Sequence, residues 1–108
     1  MDENHPPVSP LVIEAIAGAV GEALTNASKH GDARRATVFV DVDDTVFCSV
    51  KDDGAGFDPE QTPEGLGITA SIRGRLTEVG GSVTVTSRQG QGAEVALTAP
   101  RSPRSPRR

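Results

Sequence analysis

Apolar residues recur at positions 12, 16, 19, 23 and 27, a spacing that lines Val12, Ile16, Ala19, Ala23 and Ala27 along one stripe of a helix. This predicts a helix that starts near Ser9-Pro10, with Ser9 as cap and Pro10 in the first turn. It runs to about Lys29 and stops ahead of Gly31, a residue suited to the left-handed position past a helix end. Gly18 and Gly21 weaken it, so the core must hold it in place. The period then changes to two. Val38, Val40 and Val42 share one face of a strand over 36–42, and Val46, Cys48 and Val50 share a face of a strand over 45–51. Asp43-Asp44 between them makes a tight turn, so the two strands form an antiparallel hairpin. Residues 51–67 are dense in Gly, Pro and Asp and read as one long connection, long enough to suggest function. A second helix is expected over 68–79, with Ile72, Leu76 and Val79 inward and Gly80-Gly81 ending it. Strands over 82–87 and 93–99, joined by residues 88–92, make a second hairpin. The order of elements gives an α+β class, a two-layer α/β sandwich with helices on one face of the sheet.

Composition narrows this picture. The chain has 108 residues, enough for one core, and with 3 Phe and no Trp or Tyr that core must be aliphatic. One cysteine, Cys48, excludes an intrachain disulfide and reads as a small core residue; a single Cys fits a reducing compartment. No apolar run approaches the roughly 20 residues needed to span a bilayer. The formal net charge is -4. Residues 101–108 hold 4 of the 11 basic residues, leaving 7 basic against 15 acidic in residues 1–100. A body of that sign does not draw in nucleic acid, and it would take a polyanion only through a local cationic device such as a divalent metal. Residues 1–10 read as a flexible lead-in, residues 11–100 as the domain, and residues 101–108 as a disordered basic tail.

Two polar features remain unexplained by a core. On the first helix Glu22, Asn26, Lys29 and His30 share a narrow face at the edge of the apolar stripe. A carboxylate, an amide and an ammonium are costly there unless something pairs with them, and a metal-phosphate ligand would pair with all three. The second feature is the loop. Asp52 sits where the strand opens and can accept a hydrogen bond from a buried amino group. Gly54 and Gly56 let the backbone approach a flat ligand closely. Gly65, Leu66 and Gly67 lead into the second helix, whose free amides favour an anion, with Thr69 near enough to add a hydroxyl. The run 65–70 also matches a dinucleotide fingerprint, but a Pro-rich loop precedes it where that reading needs a strand. There is no phosphate-loop motif, and the acidic stretch 41–53 lacks the ligand spacing of a calcium loop.

Taken together in this order, Glu22-Ala-Leu-Thr-Asn-Ala-Ser-Lys-His30, Asp52-Asp-Gly-Ala-Gly-Phe57 and Gly65-Leu-Gly-Ile68 resemble the ATP-binding family of gyrase B, the heat-shock-90 chaperones, histidine kinases and MutL. The pattern is most similar to the catalytic domain of nitrate-sensor-type histidine kinases, with Arg73-Gly-Arg-Leu76, Gly80-Gly81, Gly90-Gln-Gly92 and a short lid after Phe57 extending the likeness. The resemblance covers about residues 11–100. It implies the Bergerat ATP-binding fold, with a mixed, mostly antiparallel sheet.

The resemblance also implies roles. Asn26 would give its amide oxygen to Mg²⁺ on the phosphates of ATP; Glu22 would hold a metal-bound or attacking water, or orient Asn26; Lys29 would contact phosphate, and His30 would belong to the nucleotide-binding box. Asp52 would bind the adenine amino group, with Gly54 and Gly56 lining the base. Gly65, Leu66, Gly67 and Thr69 would close over the phosphates, and Arg73 and Arg75 have phosphate contact and surface salt bridging as equal alternatives. Ala93 stands where relatives often carry Thr near the base, at a cost on the order of 1 kcal/mol for one neutral hydrogen bond. The implied reaction is phosphoryl transfer from Mg-ATP to a histidine on a separate dimerisation domain of the same kinase, feeding a response regulator through that domain. The strand that commonly precedes the first helix in relatives is not seen in the sequence. The expected setting is cytoplasmic, with any membrane link lying in other parts of a parent protein, no direct nucleic-acid contact, and a monomeric isolated domain. A stand-alone anti-sigma-factor serine kinase of the same superfamily is the alternative, and a degenerate nucleotide-sensing module is a third reading.

Overall fold

Residues 7–29, 33–54, 63–87 and 90–104 are described by a computed structural model, the side chains of Lys29 and residues 63–68 excepted. The elements are α1 (Pro10–Lys29), β1 (Ala36–Val42), β2 (Thr45–Asp52), α2 (Pro63–Glu78), β3 (Ser82–Ser87) and β4 (Ala93–Pro100). Both hairpins form where the alternation places them, and the strands join in the order β1-β2-β4-β3. Every described pair is antiparallel, so the expected mixed sheet is an all-antiparallel one among the described residues.

One face of the sheet is apolar and both helices pack on it. The register sets Cys48 opposite Leu97 and Val50 opposite Val95, so side chains from the two central strands point the same way. They bury against Val12, Ala19 and Ala23 of α1 and Ile72, Leu76 and Val79 around α2. The inward residues expected for both helices are thus the ones that are buried, Ile16 only partly. Cys48 is a core residue, 1% exposed, and burial pushes its thiol pKa up. At the start of α1, the Ser9 hydroxyl accepts the Leu11 N–H at 3.2 Å, a capping bond on a helix whose first residue is Pro10.

Three features depart from expectation. First, α2 begins at Pro63, where a residue without an N–H suits the first helical position, so Gly65 and Gly67 lie in its opening turns and not in a preceding loop. Its far end is a Schellman motif: Gly81 N–H to Leu76 O at 2.7 Å and Gly80 N–H to Thr77 O at 3.0 Å, with Gly80 at φ 84°. Second, β1 is exposed along its whole length. Val38, Val40 and Val42 do share a face with Val46, Cys48 and Val50, but among the described residues no helix covers that edge. Phe39 on the other face meets Phe47 with ring centroids 6.1 Å apart. Third, residues 101–104 are not a loose tail. Arg101 O accepts the Ser9 N–H at 2.8 Å, Arg104 N–H donates to Val79 O at 3.0 Å, and Arg101 Nε donates to Asp43 O at 2.5 Å. They strap the start of α1 to the end of α2 and to the β1–β2 turn.

Asp53 closes the opposite pole. Its Oδ1 accepts the N–H groups of Arg34 and Arg35, both at 2.9 Å, and its own N–H donates to Arg35 O at 3.2 Å. The Arg35 and Arg34 amides hold the Asp53 carboxyl below its ordinary value. Stability gained from the ionised form is therefore complete above the ordinary carboxylate pKa of about 3.9, and is lost as pH falls through the lower folded-state value. Asp53→Asn keeps an acceptor oxygen but cannot titrate. In thermal melts across pH 2.5 to 7 (a range on the order of that spanned by carboxylate titration), the wild type should lose Tm more steeply than Asp53→Asn once the pH is below about 4; parallel curves would show that this carboxylate does not stabilise the fold.

Candidate functional site

Asn26 is 7% exposed, the one buried polar residue found among those described. Its burial follows from its neighbours on the helix. Ala23 and Ala27 are core residues, and Asn26 lies between their positions at the edge of the packed stripe. One turn earlier, Glu22 reaches across to α2. Its Oε1 accepts the Ser71 hydroxyl at 2.9 Å and Arg75 Nε at 2.5 Å. Since Arg75 also lies against Gly18, one turn before Glu22, the two helices run antiparallel. Advancing from Glu22 to Asn26 along α1 therefore corresponds to stepping back from Ser71 toward Gly67 and Thr69 on α2. Thr69 Oγ1, on that stretch of α2, is buried and meets no hydrogen-bond partner among the described residues.

Asp52 ends β2. Its Oδ1 accepts the N–H of Gly54 at 2.8 Å, and Gly54 itself is buried. Ala93 of β4 is its direct cross-strand partner. Gly92, at φ 78°, passes so close that a Cβ on it would run into the Asp52 carbonyl oxygen. Glycine is required here both by its backbone angle and by this approach. In the sequence Gly92 is only part of a pattern; the cross-strand contact that demands it is a property of the register. A cavity of about 240 Å³ lies at these strand ends, lined by Asp52, Gly92 and Ala93 and also by Lys51, Thr86 and Glu94 on the face of the sheet away from the helices. The larger cavity of about 560 Å³ lies at the opposite pole, between residues 80–82 and 98–104, and contains none of the candidate residues.

Backbone bonds bring the two halves of the site to one pole. Ala27 O, beside Asn26, accepts the Ala33 N–H at 2.9 Å, and the next two residues give their N–H groups to Asp53, the neighbour of Asp52. The end of α1, the end of β2, the start of β4 and the opening of α2 are thus grouped. Of the sequence candidates, Glu22, Asn26, Asp52, Gly54 and Thr69 are placed here with described side chains or backbone. Lys29 is the last residue of α1, and Gly65, Leu66 and Gly67 are placed as helical backbone. His30 and Gly56 lie outside the described residues. Glu22 is committed to α2, and Arg75, expected either on phosphate or in a salt bridge, is in the salt bridge. No cluster of three His, Cys, Asp or Glu able to hold a metal occurs among the described residues.

Residues 12–103 match the model of the histidine kinase-, DNA gyrase B- and HSP90-like ATPases. The chain is 30% identical over 87 residues to the sensor histidine kinase YdfH of Bacillus subtilis, covering 75% of this chain and 21% of that protein. It superposes on the histidine kinase domain of the blue-light activated kinase of Erythrobacter litoralis EL346 with a TM-score of 0.65 and 26% identity, covering 83% of this chain and 45% of that one. A full-length ShkA structure in complex with AMPPNP shares the fold, with a TM-score of 0.59 and 24% identity over 84% of this chain and 22% of that one. The chain therefore spans a minor part of the proteins it resembles. With its helices on one face of an antiparallel sheet and a polar pole where α1, β2 and α2 meet, it belongs to the family of histidine kinase-, DNA gyrase B- and HSP90-like ATPases.

Proposed function

We propose that this domain binds Mg-ATP at the pole that carries Asn26, Asp52 and Thr69, and donates the γ-phosphoryl group to a histidine on a separate dimerisation domain of a two-component sensor kinase. The observation that carries the reading is a buried polar group on each helix: Asn26 of α1, and the Thr69 hydroxyl of α2, which meets no partner among the described residues. A buried hydroxyl without a partner costs about 1–3 kcal/mol, so the fold retains it against its own stability. A phosphate oxygen or its hydration would satisfy it.

The residues fit the cation too. Mg²⁺ favours one or two protein oxygens plus substrate phosphates, and Asn26 offers one amide oxygen with no competing carboxylate cluster among the described residues. When bound, the ion neutralises charge on the β- and γ-phosphates. The chain's own residues do the rest. The Asp52 carboxylate, held by its bond to the Gly54 N–H, accepts from the exocyclic amine of adenine. The buried backbone of Gly54 faces the base, and the Thr69 hydroxyl faces the phosphates. Lys29 supplies phosphate contact and His30 completes the nucleotide box. In the transfer itself the bond between the terminal phosphorus and its bridging oxygen breaks, a phosphorus–nitrogen bond to histidine forms, and ADP leaves. Positioning of the acceptor supplies most of such catalysis, so the domain alone should turn over slowly. The partners of this reading are the histidine-bearing domain and, through it, a response regulator, in a cytoplasmic setting. No helix among the described residues is long and apolar enough to cross a membrane.

Calorimetric titration with ATP, with and without Mg²⁺, tests this. The wild type should bind in a metal-dependent way. Asp52→Ala should lose about 2 kcal/mol, a factor of about 30 in affinity, the worth of a hydrogen bond to a charged group. Asn26→Ala should bind ATP alike with and without the metal. Equal, wild-type-like binding by both variants would remove the site assignment. Thr69→Val separates ligand contact from fold: it should raise the melting temperature of the free protein while lowering affinity for Mg-ATP by about threefold to tenfold.

A further inference from the structure

The Glu22 contact cannot be explained by stability. Arg75 is 47% and Glu22 27% exposed in their side chains, and ion pairs this open contribute little. Yet a glycine of α1 lies beside the pair. A Cβ at Gly18 would sit 2.6 Å from a terminal nitrogen of the Arg75 guanidinium, and a mid-helix glycine weakens a helix relative to alanine. Gly21, three residues on in the same helix, has open space around its would-be Cβ, whereas the three atoms nearest one at Gly18 all belong to the Arg75 side chain. One carboxylate oxygen, Oε1, takes both the Ser71 hydroxyl and Arg75 Nε. Two donors a turn apart on α2 thus converge on one acceptor a turn before Asn26.

We propose that Arg75 and Ser71 are positioning residues, which through Glu22 fix the register of α2 on α1 and thereby the spacing between the Asn26 amide and the Thr69 end of α2. This deepens, and rests on, the Mg-ATP reading of that pole. Glu22 serves as the acceptor that joins the helices. The substrate terms that depend on the clasp are those of the metal and phosphates, because Asp52 and the base contact lie on β2, which the clasp does not touch.

The test uses the full chain, ATP with Mg²⁺, ATP with EDTA, and a melting temperature for each variant. Gly18→Ala removes no charge and no hydrogen-bonding group, and favours the helix; it displaces the guanidinium. Expected is a melting temperature equal to or above wild type, with Mg-ATP affinity reduced at least fivefold and affinity in EDTA within twofold. Arg75→Ala should do the same to affinity more strongly. Gly21→Ala, with the same gain in helix propensity and no contact to Arg75, should leave both affinities unchanged. The exchange of Glu22→Arg with Arg75→Glu should recover part of the Mg-ATP affinity that Arg75→Ala loses. If Gly18→Ala and Arg75→Ala bind Mg-ATP as wild type does, or if their affinities in Mg²⁺ and EDTA fall together in step with the melting temperature, the positioning role is overturned. Absence of nucleotide binding by the wild type would instead overturn the Mg-ATP reading, and this proposal with it.

Discussion

The rest of the structure depends on how closely α1 lies on the sheet. Its buried ridge is Val12, Ala19, Ala23 and Ala27, mostly single methyl groups. Small side chains bring the helix near the valines and leucine of β2 and β4, and dispersion contacts fall off steeply if that gap opens. A ridge of larger residues would hold the helix off and leave Asn26 in water. With alanines on both sides of it, the amide is drawn into the interior, where only a specific partner offsets its desolvation. Packing and site are therefore one constraint: the tight seam that stabilises this small aliphatic core also draws a polar side chain to its edge.

Much of this was legible in the residues. The 3.6 period of α1, its Ser9-Pro10 start, the two hairpins and the inward faces of Ile72, Leu76 and Val79 follow from local chemistry, and local chemistry is what a sequence states most directly. The opening of α2 was not legible. Gly65 and Gly67 argued for loop, while Pro63, tolerated only at the first helical position, marked the true start. Alternation on β1 correctly gave a shared face for Val38, Val40 and Val42 but carries no information on whether a helix lies over it. The clasp of Glu22 with Ser71 and Arg75 joins residues about fifty positions apart, as does the strap from Arg101 to Asp43. Periodicity cannot encode such pairings, and both were invisible until the elements were packed. The site was legible as a set of residue types in order; the close pass of Gly92 against Asp52 needed the strand register.

In the proposed reading the same geometry would separate two kinds of contact on one scaffold. Base recognition would rest on strands, where Asp52 and Ala93 are held by cross-strand pairing. Metal and phosphate recognition would lie between helices, whose register is set by side chains.

The strap at the other pole has a mechanical consequence. The Ser9 amide and the Arg101 carbonyl are 2.8 Å apart, so the chain enters and leaves the fold side by side. From Ser9 to Asn26 α1 rises 1.5 Å per residue, placing the nucleotide pole roughly 25 Å away. In the proposed reading, a modest rotation of the domain about this strap would carry a bound phosphate through a wide arc. Reach would come from leverage, with no need for the interior to deform.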